Sequence, residues 1–123
     1  MKKILIVEDQ ALVRMYLCSC VEKSGECEVA GVLTRADAAL ARCGEGHIDL
    51  ILMDIQMPVM NGYEATKAIR ELKDENKSKI IILAVTANAF EEDRKNALQA
   101  GMNGHIAKPI KVDVLAKTLA ELF

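Results

Sequence analysis

Ile48-Asp49-Leu50-Ile51-Leu52-Met53-Asp54-Ile55-Gln56-Met57-Pro58 is a short apolar run that ends in a carboxylate and breaks on a proline. A run of this length closed by a turn signal reads as a buried strand, and an acid at its end lies at the mouth of a sheet rather than on a solvated helix. An earlier run, Ile4-Leu5-Ile6-Val7, ends in the same manner with Glu8-Asp9. Two strand ends thus deliver three carboxylates.

Outward from these two runs, β-branched or aliphatic stretches alternate five times with longer amphipathic ones. Strands are predicted near 3–8, 28–33, 49–54, 80–85 and 104–107. Helices are predicted near 10–23, 35–45, 62–72, 89–100 and 112–122, with turn signals at Ser24-Gly25, Gly44-Glu45-Gly46, Asn61-Gly62 and Asp74-Glu75-Asn76. The pattern is (βα)5. Crossover helices force the strands parallel and cover both faces of the sheet, so the fold class is α/β, a three-layer sandwich. In the first helix Val13, Tyr16, Leu17, Cys20 and Val21 form the stripe expected to face the sheet. Ala11, Met15 and Cys18 fall nearly opposite, a second stripe able to meet a partner.

A chain of 123 residues that is 51% hydrophobic encloses one core and not two, so residues 1–123 are read as one domain. No apolar run reaches the ~18 residues of a membrane span and no secretory cleavage pattern follows Met1-Lys2-Lys3, which implies a cytoplasmic protein without membrane insertion. With 16 basic against 18 acidic residues there is no positive stripe for a phosphate backbone, so direct nucleic-acid binding is not expected. Cys18, Cys20, Cys27 and Cys43 form no C-x-x-C pair and read as small apolar packing groups rather than a zinc or disulfide framework.

Parallel strands present their C-terminal ends on one edge, where Glu8, Asp9, Asp54, Thr86 and Lys108 each follow a predicted strand. If strands one and three are adjacent, ~4.8 Å apart, Asp9 and Asp54 can reach one cation. Crowded carboxylates raise one another's pKa unless a cation compensates, and an all-oxygen donor set favours magnesium over zinc. Lys108 adds a fixed positive charge and Thr86 a hydroxyl, a set suited to phosphoryl transfer onto Asp54.

KILIVED, LILMDIQMPVMNG, ILAVTANA and GHIAKP together resemble the receiver domain of two-component response regulators, in wording most similar to receivers of hybrid histidine kinases and phosphorelays. The resemblance covers essentially the whole chain. It implies a flavodoxin-like fold with sheet order 2-1-3-4-5, and a switch that accepts a phosphoryl group from a histidine kinase or histidine phosphotransfer protein while promoting its own later dephosphorylation. Asp54 would be the phosphoacceptor. Asp9 and the backbone carbonyl of Gln56 would bind Mg2+ with Asp54, Glu8 would act through water, and Mn2+ would substitute. Thr86 and Lys108 would hold phosphoryl oxygens, the Lys108-Pro109 bond would be cis, and Asn61 would cap the third helix. Output would pass to a downstream protein effector through the fourth helix, fifth strand and fifth helix, with the chain a monomer or a phosphorylation-dependent dimer.

Gln56 and Asn88 stand where the family's residues border the water path to the acyl phosphate and tune its lifetime. His105 departs from the Tyr or Phe that the family commonly has three residues before its lysine. An imidazole is smaller and ionisable, so the switch is expected to be weakened or pH-sensitive. Lys111 replaces the usual cap of the last helix, His47 is structural or exposed, and Met53, Met57 and Met60 are packing residues. Three other functions compete, one of them a degenerate receiver used purely as a binding module, against which the complete acceptor set argues. A phosphatase of the haloacid dehalogenase type would need a second Asp at the place of Gln56 and a cap segment. A flavin binder would need a phosphate loop where Glu8-Asp9 stand.

Overall fold

The computed structural model describes residues 2–43, 46–55, 60–86, 91–108 and 110–123. Its elements are β1 (Lys2–Val7), α1 (Ala11–Lys23), β2 (Cys27–Leu33), α2 (Ala38–Cys43), β3 (Leu50–Asp54), α3 (Gly62–Arg70), α4 (Glu75–Ser78), β4 (Ile81–Thr86), α5 (Glu91–Ala100), β5 (Gly104–Ala107) and α6 (Val112–Leu122). The strands form one parallel sheet in the order β2-β1-β3-β4-β5, with β1 and β3 adjacent as the acid site requires.

Strand periodicity divides the core in two, because successive side chains leave opposite faces of a sheet. Ile4, Ile6, Leu50, Leu52, Leu83 and Val85 pack with Leu17, Cys20 and Val21 of α1 and Leu115 and Leu119 of α6. Leu5, Val7, Ile51, Met53, Ile82 and Ala84 pack on the other side with Ala39 and Cys43 of α2, Ala65 and Ile69 of α3 and Ala97 of α5. These faces give the three layers. A fully enclosed Leu or Ile contributes about 1.5–3 kcal/mol, so the central strands hold their C-terminal edge on a stiff support.

Several predicted boundaries move. Glu8 lies beyond β1 rather than within it, and α2 is shorter than 35–45, its expected end at Gly44 and Glu45 lying outside the described residues. Asp74-Glu75-Asn76, read as a turn, opens the short helix α4, in which Asp74 accepts a hydrogen bond from the Asn76 N–H at 2.9 Å. A capping aspartate serves a turn and a helix start equally well, which is why one turn of helix escaped notice. Tyr16 does not face the sheet: it is 46% exposed, whereas Cys18, assigned to the outer stripe, packs against the α1/α6 core. Helix α1 meets α6 as well as the sheet, and this rotates its buried face toward Cys18.

Other expectations match. Asn61 and Glu64 form a reciprocal capping box at α3, Lys111 gives α6 no side-chain cap, and the four cysteines are free, all but Cys18 buried. Among the described residues no helix is long and apolar enough to cross a membrane.

Candidate functional site

Pairing register builds the site. Val7 lies beside Met53 and Asp54 beside Val85, so the residues just beyond β1 share a level with the end of β3. Thr86 pairs with Ala107, and the Lys108 N–H donates to the Thr86 carbonyl at 2.7 Å, bringing the hydroxyl and the ammonium to the same edge. One carboxylate oxygen each from Glu8, Asp9 and Asp54 lies within 4.8 Å of the other two. The five residues read from the sequence as one constellation therefore meet at one rim.

Burial differs sharply among them. Glu8 is fully buried, Asp54 and Thr86 nearly so, and Asp9 is exposed. Lys108 Nζ stands 2.9 Å from Glu8 Oε1 and 3.7 Å from Asp54 Oδ2, a single cation shared by two buried acids. Glu8 Oε1 is held by this ion pair, and Thr86 Oγ1 has no hydrogen-bonding partner among the described residues. Burial, and next the neighbouring Asp54 carboxyl, push the Glu8 pKa up, with Lys108 opposing them.

An unfilled demand for positive charge and for hydrogen bonds is what a hard cation and a phosphoryl group would meet. Three carboxylates, with no His or Cys in the cluster among the described residues, suit Mg2+ by donor chemistry. Gln56, Asn88 and Pro109, assigned respectively a metal-binding carbonyl, a tuning role and a cis bond, lie outside the described residues, as do Met57 and Pro58. His105 is half-buried on β5 beside Ala84 and lines a pocket of about 280 Å3 with Arg94, Leu98 and Asn103.

One residue beside the site, Arg14, carried no signal in the sequence. Arg14 Nη1 donates to the backbone carbonyls of Glu8 at 3.1 Å and Asp9 at 3.2 Å. Gly62, read as the close of the Asp54 motif and the start of a helix, packs against the end of β3: a Cβ there would lie 2.7 Å from the Asp54 carbonyl oxygen and 2.9 Å from Ile55 Cα. Only glycine lets α3 approach so closely, and the Gly62 N–H donates to the Ile55 carbonyl at 3.3 Å.

Residues 4–120 match the family model of the response regulator receiver domain. The chain belongs to this family. Hybrid signal transduction histidine kinase B of Dictyostelium discoideum is 38% identical over 96% of this receiver, which spans only 6% of that kinase's length. The receiver domain of the sensor histidine kinase PA1611 from Pseudomonas aeruginosa, solved with a magnesium ion coordinated in its active site cleft, is 37% identical with a TM-score of 0.85, covering 98% of this chain and 95% of that one. A chain of the Saccharomyces cerevisiae co-crystal structure of the histidine phosphotransfer signaling protein Ypd1 and the receiver domain of its downstream response regulator Ssk1 is 31% identical, with a TM-score of 0.84, over 98% of this receiver and 87% of that chain. The family is a signalling domain of two-component and phosphorelay systems, and the phosphatase and flavin readings fall with its assignment.

Proposed function

We propose that this receiver accepts a phosphoryl group on Asp54 from a phosphohistidine of a histidine kinase or histidine phosphotransfer protein. The observation that carries the reading is the shared cation: Lys108 Nζ reaches Glu8 and Asp54 together at the strand ends. An Asp54 oxygen attacks phosphorus, the P–N bond breaks, and the electron pair leaves with the imidazole, which takes up a proton; an acyl phosphate remains. Lys108 and Thr86 hold the phosphoryl oxygens.

Asp9, Asp54 and the Gln56 carbonyl would hold Mg2+, or Mn2+ in its place, with Glu8 acting through water. The bound ion supplies charge neutralisation between the two anionic reactants. Magnesium in the PA1611 receiver supports this assignment, as the Ypd1–Ssk1 complex supports the donor class. Leu12, Met15 and Tyr16 are exposed on α1, the helix that follows Glu8 and Asp9, and offer the donor an apolar landing surface.

Phosphorylation draws Thr86 toward the new group and changes the face of α5, β5 and α6, through which a downstream protein effector is engaged. His105 then sets how far this face responds, with Gln56 and Asn88 tuning hydrolysis. Residues 1–123 form one receiver domain, which works in the cytoplasm and is monomeric or dimerises on phosphorylation. Incubation with a small phosphodonor and Mg2+, followed by a phosphate-retarding gel, tests the acceptor. A slow band is expected for the native chain and none for Asp54→Asn; equal bands in both would place the phosphoryl group elsewhere.

A further inference from the structure

We infer that Arg14 is a positioning residue for the metal-binding acids; the inference rests on the proposed role of Glu8, Asp9 and Asp54. Past Val7 the chain leaves the β1 ladder. The Glu8 N–H still donates to the Leu33 carbonyl at 2.9 Å, but the next two carbonyls turn toward α1 and are taken up by one guanidinium nitrogen, Arg14 Nη1. The Arg14 N–H donates to the Gln10 carbonyl at 2.9 Å, so the residue is locked on the first turn of its own helix.

Other means of fixing this loop are weak. Gln10 at the start of α1 makes no side-chain cap and the first turn holds no acid, while the Glu8 Oε2 contact to the Gln10 N–H is long at 3.5 Å. Asp9 is exposed, and among the described residues no hydrogen bond holds its carboxylate. Its place within 4.8 Å of Glu8 and Asp54 therefore depends on its backbone, and the backbone depends on Arg14. A ligand held in place before binding loses less freedom when the ion arrives, so the bracket strengthens the site without touching the ion.

Charge and position predict opposite signs here, and this makes the inference testable. A guanidinium near three carboxylates repels a divalent cation, so its removal should tighten binding if charge were its only effect. If Arg14 holds the loop, removal weakens binding. The intact chain is titrated with MgCl2 and followed through the amide resonances of Asp9 and Asp54, with the melting temperature taken separately in EDTA. Arg14→Gln is expected to bind Mg2+ about tenfold more weakly at an unchanged metal-free melting temperature. Arg14→Lys, which keeps a donor and the charge, is expected to recover most of that loss. Native-like or tighter binding by Arg14→Gln overturns the inference and leaves the site reading intact. Weakening that Arg14→Lys does not relieve, together with a lower melting temperature in EDTA for both variants, also overturns it in favour of a general structural role. Failure of the native chain to bind Mg2+ overturns the site reading, and the inference with it.

Discussion

The two rims of the sheet use charge in opposite ways. At the N-terminal rim, Asp49 Oδ2 accepts the Lys3 N–H at 2.7 Å and its Oδ1 meets His47 Nε2 at 2.7 Å, while Arg70 donates to the carbonyls of Gly101, Ser78 and Ile80 and to Asn103 Oδ1 at 2.7–2.9 Å. At the C-terminal rim, two buried acids share one lysine, and a buried hydroxyl has no partner among the described residues. Charged groups matched as Asp49 and Arg70 are stabilise the fold; buried acids that share one cation are suited to binding another. A groove of about 680 Å3, lined in part by Lys3, His47, Asp49 and Phe123, also lies at the matched rim.

The largest effect that would sharpen this contrast is expected from Arg70→Ala. It strips the donors from three carbonyls and a side-chain amide that join α3 to the starts of β4 and β5, and should cost about 3 kcal/mol in chemical denaturation. Phosphoacceptance per folded molecule should stay unchanged. A loss below about 0.5 kcal/mol would mean that the clamp contributes little.

A smaller effect is expected from Asp49→Asn, about 1 kcal/mol at pH 7. Burial raises the Asp49 pKa, but the Lys3 N–H and the His47 ring outweigh it and bring it below 3.8. An acid depressed by folding stabilises above its unfolded value and loses that contribution as pH falls through the folded one. The difference between native and variant should therefore close in strong acid, as followed by denaturation at stepped pH.

Glu8→Gln should act with the opposite sign. Because folding raises the Glu8 pKa above 4.5, the native chain loses stability as pH rises from that value toward the folded one. In EDTA at pH 7 the variant should gain on the order of 1 kcal/mol, yet bind Mg2+ less well. A variant destabilised without metal would place Glu8 among the fold-stabilising acids and erase the distinction between the rims.

Most of the fold was legible because its strands announce themselves: Ile4 to Val7, Leu50 to Met53 and Ile82 to Val85 are apolar without interruption, and that requires helices on both faces. The site was legible for a related reason, since Glu8, Asp9, Asp54, Thr86 and Lys108 each follow a strand, and parallel strands end together. The adjacency of β1 and β3 could not be read from the pattern and came with the family resemblance. Arg14 and Arg70 were silent because they act on backbone carbonyls, which every residue has and no motif records. Tyr16 was misplaced because a helix packed on both a sheet and another helix does not bury a simple stripe.

The central claim is that Asp54 is the atom-by-atom destination of the phosphoryl group, and reductive trapping tests it most directly. The chain is exposed to a small acyl phosphate donor and Mg2+, then to borohydride, which converts an aspartyl phosphate to homoserine, and its peptides are sequenced by mass. Homoserine at position 54 alone is the expected result. Homoserine at position 9 or at another acid, or a phosphorylated chain in which position 54 is still aspartate, would contradict the account.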